Sequence, residues 1–111
     1  MRVISQDGTM DFSYEMSTIF IYGRIENAIA IQPVGDSEVS IIGRYSSKEK
    51  TIKAMEMLRD QYKGLEVFKV LASGTAEHME KSFNSDELEE YIRAYHDINV
   101  FQFPQDDEIE V

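Results

Sequence analysis

The apolar and polar positions change period once along the chain. Up to about residue 45 they alternate or form short apolar blocks separated by turn residues. MRVIS reads as a short strand, and QDGT as a turn in which Asp7-Gly8 supplies the positive φ of a tight hairpin. In MDFSYE, Met10, Phe12 and Tyr14 fall on one side of an extended segment. STIFIYG is rich in β-branched and aromatic residues and predicts a strand with both faces at least partly covered. RIEN (residues 24–27) predicts a turn, and AIAIQP a strand ended by Pro33, which lacks the ladder N–H. VGDSE turns again, and VSIIGRY predicts the next strand. This first part reads as a meander of antiparallel strands.

Beyond it the spacing becomes helical. In YSSKEKTIKAMEMLRDQYKG, Ser46 followed by Glu49 has the form of a capping box. Ile52, Met55, Leu58 and Tyr62 form one stripe, opposite Lys50, Lys53, Glu56 and Asp60, and Gly64 stands where a C′ glycine belongs. The pattern predicts a helix from near Ser47 to near Lys63. LEVFKVLA then reads as a strand with imperfect alternation, and Met79 with Phe83 permits a short helix from about Ala76. Asn84 with Glu87 opens a further helix, striped by Leu88, Tyr91, Ile92 and Tyr95. Asp86, Glu87, Glu89 and Glu90 in its first turns suit the positive end of the helix dipole. In the closing segment INVFQFPQDDEIEV, alternation lets a strand bury Phe101 and Phe103 while Gln102 stays near water, and Pro104 ends it. The acids that follow read as a loose guard against edge pairing.

The elements add up to one α+β domain over residues 1–111: an antiparallel sheet of about six strands with two main helices packed on it, and a short acidic C-terminal tail at about 105–111. Several strands are apolar on both faces, more than two helices of this length can cover, so a homo-oligomer is expected.

Composition narrows the chemistry. Cysteine is absent, which removes disulfides, thiolate zinc sites and a cysteine nucleophile, and suits a reducing cytoplasm. No apolar run approaches the ~18 residues of a membrane-spanning helix, and MRVISQDGT does not read as a secretory signal. The net charge of −10 is unevenly spread: residues 1–76 hold ten acids and nine bases, whereas residues 77–111 hold eleven acids against Lys81 and Arg93. Such a surface repels nucleic-acid backbones and attracts basic partners, although a solubilising face is the simpler reading.

Motifs for catalysis are missing. His78 and His96 stand apart without a ligand-spaced partner, and QDDEIE lacks the spacing of a calcium loop. No nucleophile elbow or phosphate-binding glycine loop occurs, and SGT (residues 73–75) reads as an ordinary cap before it reads as an anion site. Phe12, Tyr14, Phe20 and Tyr22 cluster on the early strands without interleaved bases, which favours a core or subunit interface over a base-stacking platform. Met57 lies off the main stripe and either broadens the buried face or marks a contact surface. No cofactor and no metal is expected.

The segments RVISQDGTMDFSYE, YSSKEKTIKAMEMLRDQY and FQFPQDDEIEV together resemble a set of small proteins from phages, prophages and mobile elements of Gram-positive bacteria. The similarity spans most of the chain and is weakest over about residues 64–97. It implies a cytoplasmic accessory protein of the host cell with no known enzyme activity, and it supplies no functional residues. Three classes follow in order. The first is a non-catalytic binding module, with a counter-defence role, that sequesters a host factor or a small nucleotide-like ligand. The second is an acidic DNA mimic that occupies a nucleic-acid-binding protein, and the last is a small enzyme. The candidate binding residues are the acids Asp86, Glu87, Glu89 and Glu90 and the bases Arg24 and Arg44. A basic pocket formed by Arg2, Arg24 or Arg44 with aromatics would favour the ligand reading. Neither direct nucleic-acid binding nor membrane association is expected.

Overall fold

The computed structural model describes the backbone of residues 1–82 and 85–111, and the side chains of residues 1–71 and 86–111. Among these residues the fold is α+β, with six strands and two helices. The strands are β1 (Arg2–Ile4), β2 (Asp11–Ser13), β3 (Ser17–Tyr22), β4 (Ala28–Pro33), β5 (Ser40–Arg44) and β6 (Val100–Gln102); the helices α1 (Lys48–Ser82) and α2 (Ser85–Ile98) lie between β5 and β6. The strands divide into two three-stranded sheets, ordered β2-β1-β6 and β3-β4-β5. All neighbours are antiparallel except β1 and β6, which run parallel.

The first sheet joins the two ends of the described chain. Val3 pairs with Phe12 on one side and Phe101 on the other. Val3 and Phe103 are fully buried, and Phe101 and Phe103 pack edge to face at 5.2 Å while Gln102 is exposed, as the alternation predicts. Gly8 makes the β1–β2 turn at φ +77°. In the second sheet, Ile29 and Ile31 of β4 enter the core, while Ala28 and Ala30 lie across from Tyr22 and Phe20. The β4–β5 register slips by one residue at Ile29/Ala30, so Ile42 has no partner in the ladder and is buried in the core.

Helix α1 departs most from expectation. It does not end at Gly64; LEVFKVLA continues it and forms no strand. Gly64 is not in the left-handed region that a C′ glycine needs, and its missing side chain faces Ile98 at contact distance. The helix continues because Leu65 extends the buried stripe of Ala54, Met55 and Leu58. One turn on, Phe68 stacks on Tyr91 at 5.2 Å and lies 5.9 Å from Tyr95. Tertiary burial of a 3.6-residue stripe thus outweighs the β-prone valines. The stripe is also shifted at its start: Thr51 is buried and Ile52 is 39% exposed. The short helix expected from Ala76 falls within α1, while the side chains of Met79 and Phe83 and the Asn84 cap lie outside the described residues. In α2, Tyr91 and Tyr95 are half-buried, but Leu88 and Ile92 are each 46% exposed. Only part of the predicted stripe is therefore covered.

Residues 105–111 are no loose tail. Asp106–Glu108 form a 3₁₀ turn, the Gln105 side chain donates to the Gln6 carbonyl, and Ile109 is 4% exposed within the core cluster. Met57 is half-buried against the same cluster, which makes it part of the packed face.

Truncating a buried Leu or Ile to Ala costs about 2–5 kcal/mol, a large share of a small domain's stability. Leu58→Ala and Ile109→Ala are each expected to lower the unfolding free energy by that order, read as a lower denaturant midpoint at unchanged slope. Deleting residues 105–111 is expected to cost at least as much as Ile109→Ala. An unchanged midpoint for the deletion would show that the C-terminal segment contributes nothing to the core.

Candidate functional site

The start of α1 is held by several side-chain hydrogen bonds. Ser47 caps it: its Oγ accepts from the Lys50 amide at 3.2 Å, and its carbonyl accepts from the Thr51 hydroxyl at 2.9 Å. Ser46, the expected cap, has another task. Its amide and hydroxyl donate to the Asp106 carboxylate at 2.8 and 3.0 Å, and Lys50 Nζ donates to the Asp106 carbonyl at 2.8 Å. The Ser46 amide, then the Ser46 hydroxyl and Lys50, hold the Asp106 carboxyl below its ordinary value. Nearby, the buried Tyr45 hydroxyl donates to the Pro104 carbonyl at 2.9 Å, and burial, with Asp106 and Glu108, pushes its phenol up.

Beside this start lies a hollow of about 460 Å³ between α1 and the β3–β4 turn. Lys48, the first residue of α1, and Arg24, on the turn, both line it. Ile21 and Ile25 add apolar surface, Tyr22 an aromatic ring, and buried Thr51 a wall from the helix; Glu26 is the acid among the lining residues. Asn27 closes the turn at φ +56°, a left-handed position that asparagine tolerates. Its size falls within the usual range for small-ligand sites.

The other predicted residues lie elsewhere. Arg44 borders a separate hollow of about 190 Å³ with Ser5, Gln6 and Asp7. There Asp7 is a firm anion: the Ser5 hydroxyl, then the Thr9 hydroxyl and amide, lower its carboxyl to about 2. A fixed carboxylate beside Arg44 makes this second hollow the poorer anion site. Arg2 is occupied by Asp11, to which its Nε donates at 2.9 Å. Asp86, Glu87, Glu89 and Glu90 are exposed on the first turns of α2 and line neither arginine hollow. His96 lies edge-on to Tyr95 at 6.4 Å, and the His78 side chain lies outside the described residues. Among the described residues no three His, Cys, Asp or Glu side chains gather to hold a metal ion, and no helix is long and apolar enough to cross a membrane.

Lys48 and Thr51 line the hollow from the helix, and sequence reasoning singled out neither. Their signal was the helix start itself, but nothing local says that the turn at 24–27 folds against it. The chain matches no protein-family model, no curated protein and no solved structure.

The Asp106 contacts imply acid sensitivity of a definite sign. Its folded pKa lies below the unfolded value of about 3.9, so its contribution is present above that value and is lost as pH falls through the folded one. Asp7 acts in the same direction. The thermal midpoint is expected to hold steady down to the ordinary carboxylate range and then to fall. Asp106→Asn should lower the plateau and make the fall shallower; a parallel curve would show that Asp106 does not carry the effect.

Proposed function

We propose that the protein is a non-catalytic binding module that holds a small anionic, nucleotide-like ligand in the hollow between the β3–β4 turn and the start of α1. One observation carries this reading: Arg24 and Lys48, from segments far apart in sequence, line the same hollow with Tyr22 and two isoleucines. Two cations suit phosphate, the guanidinium by its fork of donors and the ammonium as a point charge. The ring and the isoleucines offer apolar surface to a base or sugar. In the setting that the sequence resemblance implies, a mobile element within a host cytoplasm, sequestering such a ligand is a counter-defence activity.

The acidic-mimic reading keeps one supporting fact, four exposed carboxylates on the first turns of α2. The two readings use different residues and separate cleanly. Calorimetric titration with a nucleoside triphosphate and with a cyclic dinucleotide should show saturable, salt-sensitive binding of at least one probe. Loss of a charge-assisted contact costs about 1.5–3 kcal/mol, so Arg24→Ala or Lys48→Ala should weaken it by about tenfold or more. Charge reversal of Glu89 and Glu90 to Lys should leave it unchanged. If neither probe binds, while a host protein captured by the wild type is lost with the Glu89/Glu90 reversal, the ligand reading fails and the mimic stands.

A further inference from the structure

We propose that the outer edge of β3 pairs antiparallel with β3 of a second copy of this chain, across a two-fold axis at Ile19. The ladder shows which groups of β3 are available. The Val34 amide donates to the Met16 carbonyl at 2.8 Å, and the β3–β4 register sets Thr18 against Gln32, Phe20 against Ala30 and Tyr22 against Ala28. Hydrogen-bonded residues alternate in an antiparallel pair, so Met16, Thr18, Phe20 and Tyr22 bond inward to β4. Asn27, whose carbonyl accepts from the Tyr45 amide on the far side of β4, fits the same alternation. Ser17, Ile19 and Ile21 therefore point their N–H and C=O groups away from the sheet. None of the turn, loop or capping backbone hydrogen bonds among the described residues reaches them.

The other edge of this sheet is already engaged. The Gln6 amide donates to the Ile42 carbonyl at 2.7 Å, and Gln6 Oε1 accepts from the Arg44 amide at 2.9 Å. Among the described residues no such bond covers the β3 edge, and it lacks the devices that blunt edges: from Ser17 to Tyr22 there is no charge, proline or bulge.

The occupant follows from symmetry. A two-fold axis perpendicular to the sheet keeps each side chain on its own face, so paired positions must share parity. Centring on Ile19 sets Ser17 against Ile21 at both ends and uses every outward group. The same register puts the 58% exposed Met16 across from Tyr22 and the 47% exposed Ile21 across from Ser17, which gives each a neighbour on its open side. Glu15 lies across from Gly23 in this register and is already ion-paired with its own chain's amino terminus at 2.6 Å.

The test combines light scattering with amide hydrogen exchange. At high micromolar concentration the mass should be twice the 12.8 kDa of one chain and should fall on dilution. Exchange at the Ile19 and Ile21 amides should slow only in the concentrated sample. Ser17→Pro removes an outward N–H at the first strand position, where no bond within the chain is lost, and should give the mass of one chain with an unchanged thermal midpoint. Should that variant fail to fold, Thr18→Lys, at an exposed site, decides the question in its place. A one-chain mass at every concentration overturns the proposal. So does a dimer that persists in the folded variant, or one whose concentration-dependent protection falls on Val67–Leu71 of α1 instead of on β3.

Discussion

The parallel pairing of β1 with β6 is the constraint on which the rest of the structure depends. It aligns Arg2–Ile4 with Val100–Gln102, the most distant strands in the sequence, and buries Val3 and Phe101 where they meet. A parallel pair needs a crossover, and here the crossover holds the whole second sheet and both helices. Because loop-closure entropy grows only logarithmically with length, so long a closure is tolerable in stability. Its cost falls on the folding rate, since this pairing must await its most remote partner.

That junction also sets the position of α1. Once β6 is in place, Pro104 accepts from Tyr45 and Gln6, and Asp106 reaches Ser46 and Lys50. The acid nearest the start of the helix is thus used for construction. With Asp106 held by Ser46 and Lys50, Lys48 lines the hollow with Arg24. The exposed acids of α2 line neither arginine hollow. The strong overall negative charge therefore coexists with a local site lined by two bases and one acid.

The two halves of α1 have different duties. Its first half covers the sheets through Ala54, Met55 and Leu58; its second half meets α2 through Phe68, Tyr91 and Tyr95. At 35 residues and about 1.5 Å per residue, it accounts for the 53 Å long axis of the molecule. The valines at 67 and 70 are 60% and 68% exposed, so strand-like composition there reflects a lightly covered helix face.

What the sequence determined by itself was local. Period-two alternation and turn residues located five strands between residues 2 and 44, the Gly8 turn and the buried Phe101–Phe103 pair, because each depends on neighbours a few residues away. The stripe through Met55 and Leu58 likewise marked α1, and the acids at 86–90 marked the start of α2. Tertiary structure decided the rest. Gly64 stops no helix, because Leu65 and Phe68 find burial beyond it. Asp106 and Ile109 look like solvated tail in sequence and become a helix anchor and a core residue only once β6 has paired with β1. Arg24 was visible as a base on a turn; Lys48 became its neighbour only through folding, since no local pattern records that residues 24 and 48 share a hollow.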